Sequence, residues 1–310
     1  MWKISSGIFL GWSLGANDSA NIFGTGVATG TIRYRTAIWL TAVFVMIGAL
    51  LEGPKCMDTI GALTDIDPTA AFCCTLAAGL TIAVLTLFAI PASASQAIVG
   101  TLVGAGLLAG RVDFALLYKV VVCWVTTPFL GIVLGYTVYR LAEQILNRAV
   151  KSLTRRNMIY FSGILVAGCY GSYSLGANNV ANVTGVYVNA GLLLPLAASA
   201  VGGLSIILGV LTYSKRVMMT IGKGIVPLDP FSAFVVVLAE AMTLHLFTQL
   251  GVPVSSSQAV VGAVVGVGLV GGLRTVSGKM LAAIAAGWVM TPVAAGLIAV
   301  GLLFGSRFVL

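Results

Sequence analysis

Charge is what this chain has least of. Nine acidic and 17 basic side chains make up 8% of 310 residues, against about 25% in soluble proteins. A water-soluble globule of that length needs far more polar surface, so that class is excluded. Only one histidine, His245, is present, and acid–base partners are too few for an enzyme. HExxH and Walker A sequences are missing, which removes the commonest zinc-hydrolase and phosphate-loop chemistries. Five cysteines (Cys56, Cys73, Cys74, Cys123 and Cys169) form no CxxC pair, and four lie in apolar segments. They read as small core residues, not as a disulfide framework or a metal site. The net charge of +8 is scattered over short loops, which argues against a nucleic-acid partner and matches a positive-inside bias. Hydrophobic residues make up 59%, the mean hydropathy is +1.05, and glycine, at 38 residues, is as frequent as close-packed membrane helices require. The chain is read as an all-α integral membrane protein with lipid around it. Met1-Trp2-Lys3 runs into an apolar segment to Leu14 without a cleavage site and reads as a retained first span.

The chain repeats itself. Ser13-Leu14-Gly15-Ala16-Asn17-Asp18-Ser19-Ala20-Asn21 returns as Ser174-Leu175-Gly176-Ala177-Asn178-Asn179-Val180-Ala181-Asn182, an offset of 161. Thr59-Ile60-Gly61 returns at Thr220-Ile221-Gly222 with the same offset. Asp67-Pro68 returns as Asp229-Pro230, and Pro91-Ala92-Ser93-Ala94-Ser95-Gln96 as Pro253-Val254-Ser255-Ser256-Ser257-Gln258, both at 162. Trp124 to Pro128 matches Trp288 to Pro292 at 164. Five matches in order predict a duplication: a first transmembrane repeat over 1–150, a basic cytoplasmic linker over 151–157, and a second repeat over 158–310.

Each repeat has the same plan. In the first, residues 7–30 are a span interrupted at Gly15-Ala16-Asn17-Asp18, residues 37–53 a second span, and 114–146 a long span containing Pro128. Residues 70–110 are two apolar arms around a Ser-rich break. An arm of that length can enter a roughly 30 Å hydrocarbon core and return, so 70–110 is predicted to be a re-entrant hairpin. Three crossings per repeat make the second repeat inverted. Loop charges agree. Threaded with both termini outside, eleven bases fall inside (Arg33, Arg35, Arg148, Lys151, Arg155, Arg156, Lys215, Arg216, Lys223, Arg274, Lys279) and four outside (Lys3, Lys55, Arg111, Arg307).

Polar breaks in apolar spans survive where they line a cavity, and matched breaks in two inverted repeats point to a transporter's binding site. Four occur here: Asn17 to Asn21, Ser93 to Gln96, Asn178 to Asn182, and Ser255 to Gln258. They offer amides, hydroxyls, helix N-termini and the Asp18 carboxylate, a set suited to an anion bound together with a cation. Taken singly, such Ser and Thr side chains bond their own backbone or a neighbouring helix; duplication favours function. Asp18 is functional by default, since a buried acid costs about 3 kcal/mol to insert. Glu240 is the other embedded acid, and its repeat counterpart is Ala78. His245 reads as packed and hydrogen-bonded. Gly100-xxx-Gly104 and Gly262-xxx-Gly266 fit close packing of the hairpin arms. Pro128 and Pro292 read as kinks, with Thr126, Thr127 and Thr291 placed to satisfy freed carbonyls. Gly11-Trp12-Ser13-Leu14-Gly15 spells GxSxG but lacks the strand of a nucleophile elbow, and Asn182-Val183-Thr184 is a glycosylation acceptor inside a span, where no glycan fits.

At its two boxes the chain resembles the inorganic phosphate transporter family, whose two inverted repeats each carry a Gly-Ala-Asn-Asp-x-x-Asn box and a Pro-x-Ser-Thr-Thr-His hairpin tip. The resemblance covers nearly the whole chain. It implies alternating-access symport of inorganic phosphate with sodium or protons across the cell membrane, with no cofactor beyond the coupling cation. The substrate site it implies comprises Asn17, Asp18, Asn21, Ser93, Ser95, Gln96, Asn178, Asn179, Asn182, Ser255, Ser256, Ser257 and Gln258, with Asn17, Asp18, Asn178, Asn179 and Glu240 as sodium ligands. Glu240 looks like the glutamate of the family's second hairpin. Asn179 stands where many members have a second Asp, Gln96 and Gln258 replace the usual His, and a large central loop is missing. A sulfate permease of the same family is the alternative, an aquaporin-like channel with paired re-entrant segments is the rival from another class, and a homodimer stays open.

Overall fold

The computed structural model describes residues 2–28, 30–88, 90, 92–224, 229–270 and 278–309. After a 3-10 turn over Trp2–Ile4 the chain is built from α1 (Ser5–Ala28), α2 (Tyr34–Glu52), α3 (Pro54–Gly61), α4 (Pro68–Leu87), α5 (Ala94–Ala109), α6 (Phe114–Ala149), α7 (Leu153–Asn189), α8 (Pro195–Gly224), α9 (Pro230–Gln249), α10 (Ser256–Val270) and α11 (Gly278–Val309). Among the described residues the one strand-like feature is an isolated antiparallel bridge between Thr64 and Val112. Among the described residues, seven helices are long and apolar enough to cross a membrane.

The repeated Asp-Pro pair starts a hairpin. Asp67 accepts from the Thr69 and Ala70 backbone N–H groups, and Asp229 from that of Ser232. Each acid thus caps a helix whose first residue, Pro68 or Pro230, has no N–H to satisfy. At the far ends Ser93 and Ser255 cap α5 and α10 through Gln96 N–H and Gln258 N–H, both at 3.3 Å. The first hairpin closes at its base. Asp65 pairs with Arg111 at 3.3 Å, and Asp113 N–H bonds the Leu63 carbonyl. Gly110 takes a left-handed φ of 64° as the chain leaves α5. α4–α5 therefore enters and leaves on one side, as predicted. Pro91 of its tip lies outside the described residues, as do the loop base Arg274 and the chain ends Met1 and Leu310.

Packing exchanges the two halves. α1 lies against α8 and α2 against α7; α6 lies against α10 and α11 against α5; α4 rests on α1 and α9 on α7. The same close approaches occur twice. A Cβ on Gly15 would strike the Ile206 carbonyl, and one on Gly176 that of Val45. These are equivalent pairs at offset 161.

Three expectations are corrected. Residues 15–18 do not interrupt the first span, because α1 is continuous from Ser5 to Ala28, and α7 likewise runs through the second box. The glycine serves backbone contact between halves rather than a break, and the polar side chains find partners on the hairpin tips without unwinding the helix. The glycine pairs at 100/104 and 262/266 do not pack the hairpin arms together. They seat α5 on α11 at Pro292 and Gly296, and α10 on α6 at Pro128 and Ile132. Finally, Thr126, Thr127 and Thr291 bond the carbonyls of Val122, Cys123 and Gly287 on their own preceding turn, not those of Trp124 and Trp288 that the prolines release.

Candidate binding site between two hairpin tips

Each box meets its own hairpin tip through one asparagine. Asn17 donates to Thr86 Oγ1 (2.9 Å) and the Ile90 carbonyl (3.0 Å) and accepts from Ala92 N–H (3.0 Å). Asn178 donates to Thr248 Oγ1 (3.0 Å) and the Val252 carbonyl (3.3 Å) and accepts from Val254 N–H (2.8 Å). All of these partners are equivalent at offset 162. A side-chain amide can match an N–H and a C=O at once, so it satisfies the backbone that the tip exposes where α4 and α9 end. The amides of Asn17 and Asn178 are thus occupied in holding the tips. Thr86 and Thr248, which complete the anchor, were missed by the sequence reading. Their signal was available: both sit at offset 162 immediately before a tip.

Of the remaining box residues, Asp18 and Asn21 reach across the halves. Asn21 Nδ2 donates to Ser256 Oγ at 3.1 Å, and the Ser256 hydroxyl bonds the Asp18 carboxylate. One hydroxyl of the second hairpin therefore links two side chains of the first box. In the second box Asn182 Nδ2 donates to Asn179 Oδ1 at 2.9 Å. The equivalent of Ser256 is Ala94, so the cross-half link has no hydroxyl there. At the tips Ser93 and Ser95 are 3.3 Å apart, and Ser255 and Ser257 2.8 Å. Asp18 and Glu240 lie within electrostatic range of one another. None of the fourteen predicted site residues is more than 4% exposed. The site is sealed.

Sealing leaves polar atoms without partners. Among the described residues, Asp18 Oδ1, Asn21 Oδ1, Gln96 Oε1, Asn182 Oδ1, Gln258 Oε1 and both Glu240 oxygens are buried and unpaired. Against these acceptors the two boxes leave one unpaired amide donor, Asn179 Nδ2. A buried unpaired polar atom costs about 1–3 kcal/mol, so this concentration marks a place for a ligand. No three His, Cys, Asp or Glu side chains converge among the described residues. A cation here would rest on two carboxylates at most, completed by amide and hydroxyl oxygens.

Membrane-crossing helices and two hairpin tips enclosing an occluded polar site define a multi-span membrane transporter. The model of the phosphate transporter family matches residues 14–299, and the chain belongs to that family. It is 29% identical to a protein of Pyrococcus furiosus named "putative phosphate permease", over 98% of this chain and 95% of that one. It is 27% identical to the chloroplastic inorganic phosphate transporter 2-1 of Arabidopsis thaliana, over 94% of this chain and 69% of that one. A solved structure named "The sodium-dependent phosphate transporter" has the same fold, with a TM-score of 0.86 over 99% of this chain and 98% of that one at 23% identity.

Proposed function

We propose that the chain carries inorganic phosphate across the cell membrane by alternating access, in symport with sodium. The observation that carries this reading is the excess of unpaired buried acceptors. An anion entering a pocket of carboxylate and amide oxygens is repelled unless cations enter with it. Three of those acceptors, Asp18 Oδ1 and the two Glu240 oxygens, are carboxylate oxygens whichever way the amides are turned. Phosphate is received by the N-terminal turns of α5 and α10, by the Ser93, Ser95, Ser255 and Ser257 hydroxyls, and by the Asn179 amide. Sodium sits among the Glu240 carboxylate and the neighbouring amide oxygens, and Asp18 stands between the two ligands, accepting from the phosphate P–OH. Several hard oxygens suit a metal cation, whereas a proton needs only one. The names borne by the relatives support phosphate, and the sodium dependence for which the similar structure is named supports sodium.

The test is radiolabelled phosphate uptake into proteoliposomes under sodium and proton gradients imposed separately, with sulfate as competitor. Saturable uptake driven by sodium and indifferent to sulfate is expected. Uptake driven by protons alone overturns the cation, absence of phosphate uptake under either gradient overturns the anion, inhibition by sulfate overturns the selectivity for phosphate, and non-saturable flux indicates a channel.

A further inference from the structure

The second hairpin is held by more than Asn178. Where α9 ends, Gln249 Nε2 donates to both carboxylate oxygens of Glu52 at the end of α2 (3.3 and 3.1 Å). Lys55 Nζ bonds Glu52 Oε1 at 2.9 Å and Gln249 Oε1 at 2.8 Å. One turn back along α9, His245 Nε2 is 3.1 Å from Glu52 Oε2. Its Nδ1 is 2.7 Å from the Tyr170 hydroxyl of α7, and the Tyr173 ring meets it edge-on at 5.9 Å. Thr59 of α3 donates to the Gly251 carbonyl just beyond. The cluster borders a pocket of about 470 Å³. Its titratable members are partly exposed, and it takes no part in the central site.

The equivalent positions of the other half keep the base and lose the rest: Lys55 corresponds to Arg216, but Glu52 to Tyr213, His245 to Ala83, Gln249 to Leu87, and Tyr170 and Tyr173 to Phe9 and Trp12. There Phe9 and Trp12 stack at 6.0 Å and Trp12 meets Tyr213 at 6.0 Å. A position built twice by the fold carries a carboxylate and an imidazole in one copy and aromatic and aliphatic side chains in the other.

We propose that Glu52, His245, Lys55 and Gln249 form a proton-sensitive clasp on the second hairpin alone, making one of the two gating movements dependent on pH. A neutral imidazole has a single N–H to donate; the imidazolium donates from both nitrogens and adds a charge opposite Glu52. The groups facing His245 are Glu52 from α2, Lys55 from α3, Tyr170 and Tyr173 from α7, and Gln249 on its own helix. Lys55 opposes a second positive charge, but it is engaged with Glu52 Oε1 while His245 takes Oε2. Acid, by protonating the imidazole, therefore tightens the clasp. Tightening slows release of the hairpin and so slows transport. The transport readout rests on the proposed function; a second readout does not.

Phosphate uptake is measured for the wild type and His245→Gln with equal pH on both sides of the membrane, from about 8 to about 5.5. The ratio of wild type to variant at each pH cancels the titration of phosphate itself. It is expected to fall about threefold on acidification, the size of a partly exposed ion pair. Glu52→Gln is expected to remove the same dependence, and the double variant to add nothing further. Trp12→Phe, at the aromatic counterpart, is expected to give a flat ratio. A flat ratio for His245→Gln, or an equal fall for Trp12→Phe, overturns the clasp. If the wild type moves no phosphate, the transport reading fails and the clasp is read from thermal unfolding of the purified chain. Acid then raises the wild-type midpoint relative to His245→Gln, and parallel curves overturn the clasp.

Discussion

Asp18 and Asn179 occupy equivalent buried positions with opposite chemistry. Asp18 Oδ1 is an unpaired acceptor and Asn179 Nδ2 an unpaired donor. Hydrogen phosphate satisfies both, because its P–OH can donate to the carboxylate while an anionic oxygen accepts from the amide. Sulfate at neutral pH has no proton to give, so beside Asp18 it meets acceptor with acceptor. A site that matches a donor rejects the ligand lacking it, since its own polar group is left unpaired. Asp18→Asn is therefore expected to lower phosphate uptake about ten- to a hundredfold, the worth of a hydrogen bond to a charged group, while improving the relative competition by sulfate. Undiminished uptake with unchanged selectivity would remove Asp18 from the anion's contacts. The sequence made Asp18 legible because a buried acid in an apolar run is costly. It could not separate the roles of Asn17 and Asn21. Both are amides of one box, and only the fold shows that Asn17 meets the hairpin backbone while Asn21 meets Ser256. The clasp was hidden for the same reason, since Glu52 and His245 belong to different repeats and neither has an equivalent partner.

Elements were legible where local chemistry fixes them. The Asp-Pro starts, the Ser caps and the apolar arms each act within a few residues, so both hairpins could be read directly. Pro54 also acts locally: it separates α3 from α2, whereas the equivalent Lys215 lets α8 run on unbroken. What a glycine does depends on its neighbour in space, and here the reading went astray. Gly15 and Gly176 sit in boxes that resemble helix breaks, yet each lies against a carbonyl of the other half. Backbone on backbone cannot give way as a side chain can. Gly176→Ala is expected to cost at least about 1–3 kcal/mol, as overpacking does, and so to lower the thermal midpoint and the yield of monodisperse protein in detergent. Gly301→Ala is the control, because a Cβ there meets nothing within 4 Å and alanine is the better helix former. Equal midpoints for the two variants would show that the approach of α7 to α2 tolerates a methyl group.

At the scale of the whole molecule, duplication shows itself as exchange: every principal helix contact has a counterpart made with the halves swapped. Three crossings in each repeat, as the sequence predicts, would give such a pair opposite orientations, and charge would then select which way the molecule sits. The loop bearing Arg33 and Arg35, the linker with Lys151, Arg155 and Arg156, and the turn after Lys215 and Arg216 share one side in the inverted threading. The start of α3 with Lys55 and the turn with Arg111 share the other. Lys and Arg are retained on the cytoplasmic side of short loops, so the linker is expected inside and both ends of the chain outside. The clasp around Glu52 then faces outward, and its sensitivity is to external acid. Reporters that act on only one side of the membrane check this directly. One inserted at 151–157 should behave as cytoplasmic, and one fused after Leu310 as external. If both report the same side, the repeats are not inverted. If both report the reverse of what is expected, the repeats are inverted but the clasp guards the cytoplasmic gate.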